Sequence, residues 1–188
     1  MGKLVVTEFV TLDGVMQDPG GAEKDTFARG GWAFRYDRGD GERWKYDELM
    51  AADVQLLGRR TYDGFAKAWP TMEGTGEFGE KMNSMEKVVF SSTLESPTWS
   101  NTTVISGDLT EQVEALKDRV ERDILVAGSA QLVHGLVAAG LVDELHLMVF
   151  PVVLGEGKRV FGESAEMPFT LVESRPTGQV TLLTLRRE

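Results

Sequence analysis

No cysteine occurs in this sequence of 188 residues. Disulfides, thiolate nucleophiles and zinc–thiolate sites are therefore excluded, and the absence suits a reducing compartment such as the cytoplasm. Long apolar runs are missing as well. The richest stretch, residues 136–150, is interrupted by Gly140, Asp143 and Glu144 and falls short of the roughly 20 residues that cross a bilayer. The N-terminal MGKLVVTEFV carries a short apolar run broken by Glu8, without the apolar core and small-residue cleavage site of a signal peptide. A soluble cytoplasmic protein with no membrane partner is expected. Positive charge is scarce too: 20 Lys and Arg stand against 30 Asp and Glu, for a net charge of −10. A nucleic-acid backbone must be met by an excess of cations, so a broad nucleic-acid surface is excluded. An anionic ligand would need a local basic pocket. The basic pairs are Arg59-Arg60, Lys158-Arg159 and Arg186-Arg187, the last reading as a solvated terminus.

What is present suffices for a sizeable core. Hydrophobic residues make up 41% of the chain, and the length suits one domain over residues 1–188. β-Branched and aromatic residues over 4–10 predict a buried strand, ended by the turn pair Asp13-Gly14. Residues 15–41 are crowded with Gly and Asp yet carry Phe27, Trp32, Phe34 and Tyr36. A plain linker has no use for such aromatics, so a ligand-covering loop is expected. A helix over 42–52, a short buried strand over 54–58, a helix from near Thr61 and an exposed Gly-Glu loop over 73–80 follow. Two strands come next, over 87–90 and 102–105. Asp108 and Glu111 have capping-box spacing and open a helix with Val113, Leu116 and Val120 on one face. Residues 124–127 form a continuous apolar strand, Gly128-Ser129 a tight turn, and AQLVHGLVAA a helix closed by Gly140. Residues 144–150 alternate Leu145, Leu147 and Val149 with Glu144, His146 and Met148, which predicts a half-buried strand. Two last strands form a hairpin across Pro176, Thr177 and Gly178. This order predicts an α/β fold: a mixed, mainly parallel sheet between helices on both faces, with an antiparallel C-terminal edge.

In an open α/β sheet, ligands bind beyond the C-terminal ends of the strands. Three segments stand there. In Gly58-Arg59-Arg60-Thr61, the glycine permits close backbone approach, the helix start aims N–H groups at an anion, and the arginines add forked donors. Ser91-Ser92-Thr93 offers hydroxyls that can share an adenosine 2′-phosphate with arginine. At Gly128-Ser129-Ala130-Gln131, a pyrophosphate can rest on a helix N-terminus. Each alone also fits an ordinary turn, and the last lacks the third glycine of the dinucleotide fingerprint. Together they favour NADPH over NADH, and no metal is expected. Trp32 and Phe34 suit stacking on a substrate ring, or else plug the loop. Asp13 suits the rim of the nicotinamide pocket, or only its turn. Lys158-Arg159 would meet a substrate phosphate or sit in a solvated hairpin. Asp47, Glu48 and Asp53 read as a solvated helix face, and His134 and His146 as structural.

Four segments stand in order over nearly the whole chain: Thr11-Leu12-Asp13-Gly14, Leu57-Gly58-Arg59-Arg60-Thr61-Tyr62, Val89-Phe90-Ser91-Ser92-Thr93 and Val126-Ala127-Gly128-Ser129-Ala130-Gln131-Leu132. Together they resemble the dihydrofolate reductase-like superfamily. Asp143-Glu144-Leu145 leading into Phe150-Pro151-Val152-Val153-Leu154-Gly155-Glu156-Gly157 is similar to the reductase domain of bifunctional riboflavin-biosynthesis deaminase-reductases. True dihydrofolate reductases lack that signature; the carboxylate they place on the first helix to help protonate the pterin has candidates here in Asp47, Glu48 and Asp53, none of which the sequence places in the pocket. The resemblance implies a three-layer αβα fold and hydride transfer from NADPH to a small heterocycle. It assigns the cofactor phosphates to Gly58, Arg59, Arg60 and Thr61, and the adenosine end to Ser91, Ser92 and Thr93. Gly128, Ser129, Ala130 and Gln131 take the pyrophosphate and nicotinamide ribose. Trp32, Phe34, Pro151 and Gly155 become substrate-binding candidates, and Asp13 and Glu144 catalytic ones. The implied reaction is that of 5-amino-6-(5-phosphoribosylamino)uracil reductase. A dihydrofolate or pterin reductase and a non-catalytic NADP-binding module are the alternatives. Related reductases imply a homodimer. No deaminase or zinc signature stands before the domain, so the resemblance reaches the reductase half alone.

Overall fold

In the computed structural model, which describes residues 1–23, 26–162 and 166–188, the apolar patterns become strands and helices in the expected order. They are β1 (Leu4–Thr11), α1 (Gly41–Ala51), β2 (Ala52–Gly58), α2 (Arg59–Ala68), α3 (Gly76–Ser84), β3 (Glu86–Phe90) and β4 (Thr102–Ile105). Then follow α4 (Leu109–Arg119), β5 (Asp123–Ala127), α5 (Ala130–Ala138), β6 (Glu144–Phe150), β7 (Phe169–Thr177) and β8 (Val180–Arg187). The strands form one sheet in the order β4-β3-β2-β5-β1-β6-β8-β7. Pairing is parallel from β4 to β6 and antiparallel through β8 and β7. That is the mixed, mainly parallel sheet with an antiparallel C-terminal edge that the sequence predicts.

Alternate strand residues supply the two cores. On one face Val5, Leu57, Val89 and Leu125 meet Leu49 of α1, Tyr62 of α2 and Met82 of α3. On the other, Leu4, Val6, Leu56, Val88, Ile124 and Val126 meet Val113 and Leu116 of α4 and Leu132, Val133 and Leu136 of α5. Burying each such side chain contributes about 1.5–3 kcal/mol. The chain leaves β2 toward β3 but leaves β5 toward β6, so α2 and α5 cover opposite faces. Between β2 and β5 lies the switch point where α/β sheets open a crevice.

Four expectations need correction. The segment 73–80 is not all loop, because α3 begins at Gly76: Phe78 packs on Trp69 at 5.6 Å and Met82 is buried, an i,i+4 pair that outweighs the glycine content. Helix α2 starts at Arg59 rather than near Thr61, which puts both arginines in its first turn. The strand before it begins at Ala52, with a bulge between Ala52 and Val54. Strand β6 is buried on both faces, Glu144 and Met148 included, because it sits between β1 and β8 under the loop after β1. Val15, Phe27 and Trp32 of that loop pack with Met148, Phe150 and Leu182. Among the described residues no helix is long and apolar enough to cross a membrane.

Lys87 of β3 is fully buried, its Nζ donating to the carbonyls of Met82 at 3.1 Å and Asn83 at 2.8 Å. Burial lowers its pKa from 10.5 to about 8. Between those values the unfolded chain holds a proton that the folded chain has released, so stability rises with pH there; below about 8 the full cost is present. Chemical denaturation across this window should show the wild type gaining on the order of 1–3 kcal/mol relative to Lys87→Met. Parallel curves for the two proteins would contradict the assignment.

Candidate functional site

At the switch point, the turns that open α2 and α5 are fastened to each other. The Gly58 N–H donates to Ser129 Oγ at 2.9 Å, and the Ser129 N–H donates to Thr61 Oγ1 at 2.8 Å. Gly128 and Ser129 are both left-handed, at φ 64° and 61°. A Cβ on Gly128 would lie 3.0 Å from Thr61, and one on Gly58 would lie 3.4 Å from Ser129, so the glycines are what let these turns meet. Ser129 spends its hydroxyl on Gly58, and neither α2 nor α5 has a side-chain N-cap. Two helix N-termini thus keep unsatisfied N–H groups at one point, which is an anion-binding arrangement.

Beside it, Arg59 Nε reaches both oxygens of Asp63 at 3.0 and 2.8 Å, and its Nη1 donates to Thr93 Oγ1 at 3.3 Å. Arg60 is exposed and makes no hydrogen bond or ion pair with the described residues. Ser91 is turned inward: its Oγ accepts from the Thr93 and Leu94 N–H groups at 3.2 Å each, so it shapes the turn and leaves Ser92 and Thr93 exposed. The three segments singled out in the sequence therefore converge on the adjacent ends of β3, β2 and β5, with Ala130 and Gln131 in the first turn of α5.

A second polar group lies between α1 and strands β1 and β6. Glu48 Oε2 accepts from Thr7 Oγ1 at 2.7 Å and from Lys45 Nζ at 3.2 Å, while Oε1 is 2.7 Å from His146 Nδ1. Lys45 Nζ also bonds Thr7 Oγ1 and lies 5.3 Å from the Phe9 ring and 4.7 Å from that of Trp44. Trp44 stacks on His146 at 5.5 Å, whose Nε2 is 3.4 Å from Glu144 Oε2. Burial by itself would raise the Glu48 pKa, but Lys45, His146 and Thr7 together bring it below the ordinary value. The cluster is a fixed carboxylate holding two proton-bearing groups, Lys45 and His146, in place. Among the described residues, no group of three or more His, Asp or Glu is placed to hold a metal ion.

The pattern of the RibD C-terminal domain matches residues 2–183. The chain belongs to the RibD C-terminal domain family. The uncharacterized protein YyaP of Bacillus subtilis (strain 168) is 32% identical over 162 residues, covering 85% of this chain and 80% of YyaP. A putative riboflavin biosynthesis protein from Shewanella sp. PV-4 superposes with a TM-score of 0.77 at 20% identity, covering 99% of both chains. Dihydrofolate reductase from Enterococcus faecalis, solved with NADP(H) and RAB-propyl, superposes at 0.65 with 16% identity, covering 99% of this chain and 96% of that one. This RibD C-terminal domain thus has the dihydrofolate reductase-like, reductase-type fold that the sequence motifs suggested.

Several single-residue expectations change in this RibD C-terminal domain. Trp32 is wholly enclosed, its Nε1–H donating to the Gln17 carbonyl at 2.9 Å and its ring meeting Phe150 edge-on at 5.1 Å. It plugs the loop and presents no face to a ligand. Phe34 is 66% exposed beneath the Arg38 guanidinium at 5.2 Å. Asp13 is a clasp: it accepts from Thr11 Oγ1 at 2.6 Å and from the Leu154 and Gly155 N–H groups at 3.1 and 2.8 Å. The Thr11 bond is the main reason its pKa falls to about 2, so it has no proton to give at neutral pH. Its bonds tie the ends of β1 and β6 together and leave Pro151 and Gly155 exposed at that rim. Glu144 begins β6, at the opposite end of the sheet from the crevice, and is buried against Lys3 at 3.2 Å and Arg186 at 3.1 Å. It reaches the polar group only through His146. Arg159 bonds the Asp13 carbonyl and pairs with Val15 in an isolated bridge, which makes Lys158-Arg159 a strap.

Sequence reasoning read His146 as structural and left Glu48, one of three first-helix carboxylates to which the folate-enzyme resemblance pointed, as solvated. The available signal was the i,i+3 pair Lys45 and Glu48 on a helix following a strand with Thr7. It also passed over Glu8, a charge inside an apolar strand.

Proposed function

We propose that this chain is an NADPH-dependent reductase of a small nitrogen-heterocyclic substrate, with 5-amino-6-(5-phosphoribosylamino)uracil, whose ribosyl group would take the hydride, as the first substrate to try. The observation that carries the reading is the pair of uncapped helix starts, α2 and α5, fastened by Gly58, Thr61 and Ser129. Gly58, Gly128 and Ser129 would hold the pyrophosphate, with Arg59, Arg60, Ser92 and Thr93 around the 2′-phosphate. Bound there, NADPH supplies the hydride. Reduction of a C=N or C=O bond also consumes one proton, and Lys45, beside the Phe9 ring, and His146, both held by Glu48, are the candidate groups to relay it. Positioning the acceptor between this cluster and the cofactor then does most of the catalytic work.

Quenching of tryptophan fluorescence by NADPH and NADH tests the cofactor, and NADPH oxidation with the uracil precursor or dihydrofolate tests turnover. Binding without turnover of either would leave a nucleotide-binding module. Loss of a charge-assisted phosphate contact costs about 1.5–3 kcal/mol. Arg60→Ala is therefore expected to weaken NADPH about 10- to 100-fold while barely changing NADH. Arg59→Ala should do less, since Asp63 already engages that guanidinium. Equal weakening of both cofactors would remove the 2′-phosphate assignment.

A further inference from the structure

Glu8 is the only charged residue of β1, and the fold encloses it. It is 5% exposed, and its Oε1 has no hydrogen-bond partner among the described residues. Parallel pairing sets Thr7 opposite Ala127 of β5 and Glu8 opposite Leu147 of β6. Glu8 is therefore level with Gly128, whose N–H acts on its carboxyl. Nothing in the clasp of Gly58, Thr61 and Ser129 uses this acid, and neither does the Glu48 cluster.

Burial is the largest influence on Glu8 and holds its carboxyl well above the ordinary glutamate value; Lys45 and the Gly128 N–H pull the other way, and Glu48 adds to the rise. Lys45 is already committed to Thr7 and Glu48. The other elements around it offer little charge. From Ile124 to Ala127, β5 has no ionisable side chain, and α5 has only His134, 2.8 Å from the Arg159 carbonyl. His146 of β6 faces Glu48 and Glu144.

We propose that Glu8 is a positioning residue for the phosphate-facing turn Gly128–Ser129: enclosed level with Gly128 it backs the turn, and when ionised it repels an anion bound there. The inference rests on the cofactor reading above. Two consecutive left-handed residues, one of them a serine, need such support. A carboxylate behind the turn would set a buried negative charge against the helix start that attracts the anion. Proton loss from Glu8 and anion binding at α5 then oppose each other, and by reciprocity a bound anion raises the proton affinity of Glu8.

The test compares wild type with Glu8→Gln, which keeps the shape and the neutral hydrogen bonding but cannot ionise. Infrared difference spectra should show a protonated-carboxyl band in the wild type at neutral pH that is absent in Glu8→Gln, and titration of that band locates the loss of the proton. Through that pH the NADPH Kd of the wild type should rise, approaching about tenfold per pH unit. That of Glu8→Gln should stay flat and match the wild type's low-pH value within about threefold. Glu8→Ala should bind more weakly than Glu8→Gln throughout. The proposal is overturned if the band is missing at neutral pH or never titrates while the protein is folded. It is also overturned if both proteins share one Kd profile. Those results leave NADPH binding itself standing. A wild type that shows the band but binds NADPH at no pH overturns the cofactor reading, and the coupling with it.

Discussion

Glu48→Gln is expected to lower turnover by about 10²- to 10⁴-fold, the range for losing a positioned proton-transfer group, with NADPH affinity unchanged. Glu48 accepts from Thr7, Lys45 and His146 at once, and an amide oxygen cannot replace both carboxylate oxygens in that role. Lys45 and His146 would then lose their common anchor, and a misplacement of about 1 Å suffices for a 10²-fold loss. Its lowered pKa fixes the sign of the acid response. The cluster contributes stability above the ordinary glutamate value and loses it as pH falls through the lowered one. Wild-type activity should accordingly survive mild acid. Steady-state kinetics on the heterocycle that the wild type reduces, with fluorescence titration of NADPH, separate the two effects. An unchanged kcat would remove Glu48 from the chemistry; a parallel loss of cofactor affinity would mean that the whole crevice had collapsed.

Gly128→Val should abolish detectable NADPH binding, a loss of at least about 100-fold. A β-branched residue at φ 64° carries about 1–3 kcal/mol of backbone strain, and the added Cβ would sit 3.0 Å from Thr61 Cγ2 and Oγ1. Thr61 must yield, and its bond from the Ser129 N–H goes with it. Gly140→Ala is the control. Gly140 is also left-handed, at φ 66°, but nothing lies within 4 Å of its added Cβ. It should lower the melting temperature and leave the NADPH Kd alone. If Gly128→Val bound NADPH within about threefold of wild type, the cofactor's phosphates could not lie on this turn.

Much of the architecture was legible because its signals are local. The apolar run at 124–127, the Asp108 cap and the Gly-bearing hairpin each declare themselves within a few residues, and the Asp108 carboxylate does accept from the Glu111 N–H at 3.0 Å. The helix at 76–84 was obscured because glycine and glutamate outnumber Phe78 and Met82, whose burial depends on Trp69 and on the sheet. Trp32 and Glu144 misled for a related reason. An aromatic in a Gly-rich loop and an acid at the polar phase of an alternation look accessible, until packing against Phe150 and pairing with Lys3 and Arg186 enclose them.

Without a cysteine, without a long apolar run and with a net charge of −10, the sequence alone determined that thiol chemistry and a broad nucleic-acid surface are excluded. Its periodicities determined the alternation of strands and helices, because 2.0 and 3.6 residue repeats are properties of neighbouring positions. Only the tertiary structure decided what the polar residues do. Thr7, Glu48 and His146 are far apart in the chain and meet because β1 lies beside β6 under α1. Glu8 is held against Gly128 by the pairing of β1 with β5. Strand order is set by long-range burial, and no window along the chain contains it.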